Sequence, residues 1–120
     1  MPNKENIKLW VDALRSKKYT QTSAMLCNGE SHCCLGVACE VYQEHVGNLN
    51  ITMTKKSKKY DSNNNYLPLK VCKWLGIEKT PISNVINYNG TAISYIFLND
   101  SHSYSFDMIA DELENQFLGL

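Results

Sequence analysis

At 120 residues, 43% of them apolar and 20% charged, the chain has the size and composition of one globular domain rather than a disordered segment. Twelve Lys and Arg balance twelve Asp and Glu, and a pI near 6.8 argues against general nucleic-acid binding. No apolar run approaches a membrane span and the start, Met1-Pro2-Asn3-Lys4-Glu5, lacks a signal-peptide core, so a soluble cytoplasmic protein without membrane contact is expected.

Ile7, Trp10, Val11 and Leu14 recur with helical spacing, which predicts an amphipathic helix over 4–16 with Asn3 as its N-cap. Lys8, Asp12 and Arg15 share a neighbouring face, where Asp12 can pair with either base. From Tyr19 to Cys27 the chemistry turns to alternation, and Asn28-Gly29 is a two-residue turn signal, so strand, turn, strand is expected over 19–33. The helical period returns from Cys34 to Val46, with an apolar arc so wide that this helix should be the central one. Gly36 near its start permits close approach of another backbone, and Glu40, Gln43 and Glu44 are left on the outer side.

Ile51-Thr52-Met53-Thr54 and Lys58-Lys59-Tyr60 read as a short strand pair carrying the dense basic run Lys55, Lys56, Lys58 and Lys59. A short helix follows Leu67-Pro68-Leu69 and ends at Gly76, with Leu67, Val71, Trp74 and Leu75 inward. The stretch 82–88 is rich in β formers before the turn signal Asn89-Gly90, and Ala92 to Leu98 is read as a helix over the alternative strand. Ser105 caps a last helix striped by Phe106, Ile109, Ala110, Leu113 and Phe117, with Asp107 placed to suit its dipole. The expected fold is α+β: one compact domain over 1–120, with about four or five helices packed on a small antiparallel sheet.

Cys27, Cys33, Cys34 and Cys39, with His32, crowd into one short stretch. Zinc needs four convergent ligands, yet there is no C-x2-C, and Cys39 lies off the face of Cys34. Cysteine is also among the most buried residue types, so structural core is the leading reading, with a metal site or a thiol activated at the helix start as alternatives. An odd count of five in an intracellular chain argues against a disulfide framework.

Two further groups are candidate ligand sites. Arg15, Lys17, Lys18, Tyr19 and Gln21 set a guanidinium beside an aromatic and an amide, which suits a phosphate-bearing or planar ligand. Asn99, Asp100 and Ser101 offer directional hydrogen bonds to a base or sugar, although such residues also terminate and cap helices. A P-loop, a G-x-G-x-x-G, an H-E-x-x-H and a glycosidase-like carboxylate pair are all missing from the sequence, so no catalytic residue, cofactor or metal ligand is assigned and a non-enzyme is expected.

Leu9-Trp10-Val11-Asp12-Ala13-Leu14-Arg15-Ser16, Cys33-Cys34-Leu35-Gly36-Val37-Ala38-Cys39, Leu67-Pro68 with Trp74-Leu75-Gly76, Leu98-Asn99-Asp100-Ser101, and Phe106 with Ile109-Ala110-Asp111 occur in this order along nearly the whole chain. They resemble a family of small proteins of tailed phages and prophages that carries W-V-x-A-L-R-S, C-C-L-G-V-x-C, L-P, W-L-G and L-N-D-S patterns. His32 stands where that pattern has an aromatic, and His102 where it has glycine. The resemblance brings a context and no activity. Small non-catalytic phage proteins are often counter-defence factors, some of them oligomeric sponges for nucleotide-type immune signals and others direct inhibitors of a host defence protein.

The leading expectation is therefore a homo-oligomeric counter-defence protein. It would sequester a cyclic nucleotide or ADP-ribose derivative through Arg15, Tyr19, Gln21, Asn99, Asp100 and Ser101. The alternatives are direct inhibition of a host defence protein, through the acidic C-terminal helix or the lysine run, and a thiol-dependent or zinc-binding protein. Residues 1–79 hold all twelve bases against seven acids and 80–120 hold five acids, an asymmetry that favours self-association or an acidic ligand.

Overall fold

Helix α1, Lys4–Arg15, forms where the apolar period places it: Ile7, Trp10, Val11 and Leu14 are all buried, and the Asn3 side chain accepts from Asn6 N–H at 3.0 Å. The computed structural model describes residues 3–22, 25–63, 67–77, 85–88, 91–94 and 104–119, the pair 85–88 and 91–94 by its backbone. Lys8 pairs with Asp12 at 3.2 Å, as an exposed i, i+4 couple. The helix ends at Ser16, after which Lys17 takes the left-handed conformation at φ 66°. Glycine normally fills that position because a Cβ is strained there. Lys17→Gly should therefore stabilise the protein by about 0.5–1 kcal/mol, read as a Tm rise of a few degrees. A fall in Tm would mean that the exposed Lys17–Asp107 pair, 3.2 Å, outweighs the backbone strain.

Helix α2, Cys34–His45, is the most buried of the described helices, with eight of its residues from Cys34 to Tyr42 inside. Between α1 and α2 the expected two-stranded hairpin does not form. The described residues there make only isolated bridges, and they converge on His32. Its backbone pairs with Thr20 and Thr22 on one side, while Cys27 bridges it on the other. Asn28 to Ser31 is a four-residue turn, closed by Asn28 N–H to Ser31 C=O at 3.0 Å and by the Asn28 side chain accepting from Glu30 and Ser31.

Strands β1, Ile51–Met53, and β2, Lys58–Tyr60, pair antiparallel with Thr52 opposite Lys59. The Cys27 carbonyl accepts from Lys58 N–H at 3.1 Å, joining this ladder to the segment around His32. Helix α3, Leu69–Leu75, has Pro68 at its N-cap and closes on Gly76, which is left-handed at φ 75°. Its buried residues are Val71, Cys72 and Leu75, whereas Trp74, expected inward, is half-buried. Strands β3, Val85–Tyr88, and β4, Thr91–Ser94, form a second antiparallel pair with Ile86 opposite Ile93. The helix expected from Ala92 is thus a strand through Ser94, as its β-branched Thr91 and Ile93 allow, and the remainder of that stretch lies outside the described residues.

Helix α4, Phe106–Leu113, starts at a Ser105 whose hydroxyl accepts from Met108 N–H at 3.2 Å, and it runs into a π-helical turn, Glu114–Leu118. Phe106, Ile109, Ala110 and Leu113 are buried, and Phe117 packs at the edge of the core. Helix α1 packs on α2, α3, α4 and the π-helical turn, so the helices assemble around it rather than around α2. Trp10 Nε1–H donates to the Cys34 carbonyl at 2.9 Å, and Asn3 N–H and Asn6 Nδ2 satisfy the Leu75 and Trp74 carbonyls at the end of α3. The architecture is α+β, with four described helices and two separate two-stranded ladders in place of one sheet.

Candidate functional site

The short segment leaving α1 positions Tyr19, and Tyr19 organises this side of the molecule. Its ring is half-buried, edge-on to His32 with centroids 5.1 Å apart, and Lys18 Nζ lies 5.5 Å from its centroid. Burial raises the pKa of the phenol, so it remains a neutral hydroxyl at ordinary pH.

Tyr19 lines two surface clefts. One, about 210 Å³, is formed by Leu14, Lys17, Tyr19, Gln21, Ser105, Phe106 and Asp107. The other, about 260 Å³, lies between α1 and α2 and is formed by Leu9, Asp12, Ala13, Ser16, Lys18, Tyr19, Val41, Glu44 and His45. Both are smaller than the 300–1,000 Å³ typical of pockets that enclose a whole drug-sized ligand.

The residues predicted as a ligand site divide. Tyr19 and Gln21 share the smaller cleft, where Gln21 Nε2 donates to the Tyr104 carbonyl at 2.7 Å. Asn99, Asp100 and Ser101 lie outside the described residues. Arg15 points elsewhere: Nη2 contacts Asp111 Oδ1 at 2.5 Å and Glu114 Oε1 at 2.6 Å, tying the end of α1 to α4 and the π-helical turn. Its hydrogen bonds to Glu114 and then Asp111, which accept, raise the guanidinium pKa further above its ordinary value. Arg15→Ala should lower the Tm by about 2–5 °C in low salt, and by less at high ionic strength because the group is a third exposed. A double-mutant cycle with Asp111→Asn checks it, and strict additivity would remove the clamp from the account.

The sequence did not single out the buried polar centre behind Tyr19. Glu40, expected outside, turns inward from α2 and accepts from Lys58 Nζ at 2.5 Å and from the Tyr60 hydroxyl, while His32 Nε2 lies 3.4 Å from the same oxygen. Tyr60 is fully buried, and the side chains of Glu40 and Lys58 are only about a fifth exposed, at 20% and 21%. Burial alone would raise the Glu40 pKa. The nearby His32 ring, the donors Lys58 and Tyr60 and the lysine charge outweigh it and hold the carboxyl at about 2. The Tyr60 phenol is driven up by burial and then by its bond to this carboxylate. A carboxylate so acidic stays ionised through neutral pH, far from the near-neutral pKa that a general base needs, and it serves as an anchor between α2 and β2. The available signal was strand alternation, which sets Lys58 and Tyr60 on one face of β2.

All five cysteines are buried thiols. Burial raises the Cys39 thiol well above its ordinary pKa, the opposite of what a reactive thiolate requires. Among the described residues no cluster of three or more His, Cys, Asp or Glu is placed to hold a metal, and no described helix is long and apolar enough to cross a membrane.

These features define a small α+β protein with a charge-anchored core and an aromatic pivot between two clefts. Residues 3–117 match the profile of the family described as a domain of unknown function, DUF8296, and the chain belongs to that family. No curated protein and no solved structure matches it.

Proposed function

We propose that this protein is a non-enzymatic, phage-type counter-defence protein that captures a nucleotide-derived host signal in the cytoplasm as a homo-oligomer. The observation that carries this reading is Tyr19. One aromatic ring lines two adjoining clefts, with Gln21 and Lys17 in one and Lys18 in the other. A ring of this kind stacks on a base, and lysine ammonium groups take phosphate. Arg15 is held twice, by Asp111 and Glu114, whereas Lys17 has one exposed partner, Asp107, that a phosphate can displace, so Lys17 supplies the cation, and Asn99, Asp100 and Ser101 remain part of the proposed contact set. The phage context comes from the motif resemblance alone.

Native mass spectrometry and calorimetry with cyclic nucleotides, cyclic dinucleotides and ADP-ribose derivatives test the reading. An adduct of nucleotide mass, weakened roughly five- to a hundredfold by Tyr19→Ala, is expected on the basis of stacking energies of order 1–3 kcal/mol. Absence of binding across that panel sinks it.

A second reading, direct inhibition of a host defence protein, is favoured by the β1–β2 hairpin. Thr54 and Ser57 close its turn, setting exposed Lys55 and Lys56 at the tip beside a Met53 that is 59% exposed. Stoichiometric capture of one host protein, lost on Lys55→Glu/Lys56→Glu, would replace the first reading with this one.

A further inference from the structure

We infer that the cleft between α1 and α2 is a slot for a guanine-type heterocycle, one that presents adjacent N–H donors, an assignment that rests on the nucleotide reading above. The lining has three layers of chemistry. Leu9, Ala13 and Val41 are apolar and come from both helices. Tyr19 and His45 add aromatic rings, and the His45 ring is itself stacked on Trp74, at 6.3 Å between centroids and 24° between planes. The polar members are Ser16, Lys18 and two carboxylates, Asp12 and Glu44.

The carboxylates decide the ligand. Among the described lining residues two carboxylates face one lysine, Lys18, and Lys8 pairs with Asp12 from outside the lining, so the cleft offers a phosphate no excess of positive charge. It favours a planar group whose edge donates hydrogen bonds. Both carboxylates are exposed and only weakly held, Asp12 by Lys8 at 3.2 Å and Glu44 by Lys18 at 3.7 Å, so either can exchange its lysine for a ligand at little cost. A carboxylate receives two parallel N–H donors bidentately. Guanine offers such a pair at its N1 and N2 positions, adenine offers a single amino group, and uracil sets carbonyl oxygens beside its one N–H. A volume of about 260 Å³ holds one ring system and leaves the rest of a nucleotide outside. The phosphates then lie past Tyr19, toward Lys17 in the neighbouring cleft, which exchanges its exposed pairing with Asp107 for them.

The test is an NMR titration of the full chain, with labelled methyls and amides, using 5′-GMP, 5′-AMP, 5′-UMP and ribose 5-phosphate as probes. GMP is expected to shift Leu9, Ala13 and Val41, to bind more tightly than AMP or UMP, and to weaken on the order of tenfold in Glu44→Gln or Asp12→Asn. Both substitutions are at exposed positions, and their effect on folding is checked by the unliganded spectrum. Equal affinity for GMP and AMP, or GMP binding indifferent to both substitutions, overturns the slot while leaving nucleotide capture standing. Shifts in this cleft that follow protein concentration and not GMP also overturn it, since a second copy then covers the cleft. If neither GMP nor the cyclic and ADP-ribose panel perturbs any residue, both the slot and the nucleotide reading fall.

Discussion

Gly36→Ala is expected to cost at least about 3 kcal/mol, lowering the Tm by roughly 10 °C or more, or leaving little folded protein. Gly36 lies in the first turn of α2, directly against the segment that precedes the Asn28 turn. A Cβ built there would sit 1.9 Å from the Leu26 carbonyl oxygen and 2.8 Å from its carbon. Those atoms are backbone, so no rotamer change relieves the overlap. The carbonyl is also fixed from its own side, since it accepts from Cys33 N–H at 3.1 Å, and the Leu26 side chain is fully buried. Relief would require α2 or the Leu26 segment to move, and α2 is held by Trp10 Nε1–H on the Cys34 carbonyl. Thermal unfolding followed by circular dichroism reads the effect. A variant melting within about 3 °C of the parent would mean that the two backbones are not in close contact in solution.

This close approach was legible in the sequence, and so were the elements with strong local signals. Asn3 and Ser105 precede clean apolar stripes, so propensity, capping and period agreed for α1 and α4. The segment 19–33 misled because its alternation is carried by Thr, Gln and Ser, which give no apolar face to define a register. What fixes it is His32, whose backbone is shared between the 20–22 segment and Cys27, a pairing no local pattern encodes. Arg15 misled for a related reason. Its partners Asp111 and Glu114 are nearly a hundred residues away, so its chemistry pointed to an anion without saying whose. Tyr19 and Gln21 do meet in one cleft, because the short stretch from α1 is tied beside α4 by Lys17 on Asp107 and Gln21 on the Tyr104 carbonyl.

Glu40 was placed outside by the helical wheel, and its replacement carries the second large effect. Glu40→Gln should destabilise the protein by about 2–4 kcal/mol at pH 7, since it leaves Lys58 about four-fifths buried without its counter-charge. Glutamine can still accept from Tyr60, so the loss isolates the charge rather than the shape. The pH dependence has a definite sign. The native carboxyl, at about 2, is below its ordinary value of 4.5, so its contribution is full above about pH 5 and fades as pH falls toward 2. The stability gap between parent and Glu40→Gln should accordingly be widest at neutral pH and narrow through that window, in urea titrations at fixed pH. A gap that stays constant from pH 6 to pH 3 would show that the carboxylate is not held ionised by these donors. Glu40 stands one turn after Gly36 on the same face of α2. That face receives the Leu26 backbone at one level, and His32, Lys58 and Tyr60 at the next. Adding Lys58→Met to Glu40→Gln should recover part of the loss, because an unpaired buried cation costs more than an apolar side chain of similar length. No recovery would instead assign the loss to the hydrogen bond of Tyr60 and the close approach of His32. Tyr19 packs edge-on against that same His32, so the anchor also sets the position of the ring on which the proposed ligand site is built.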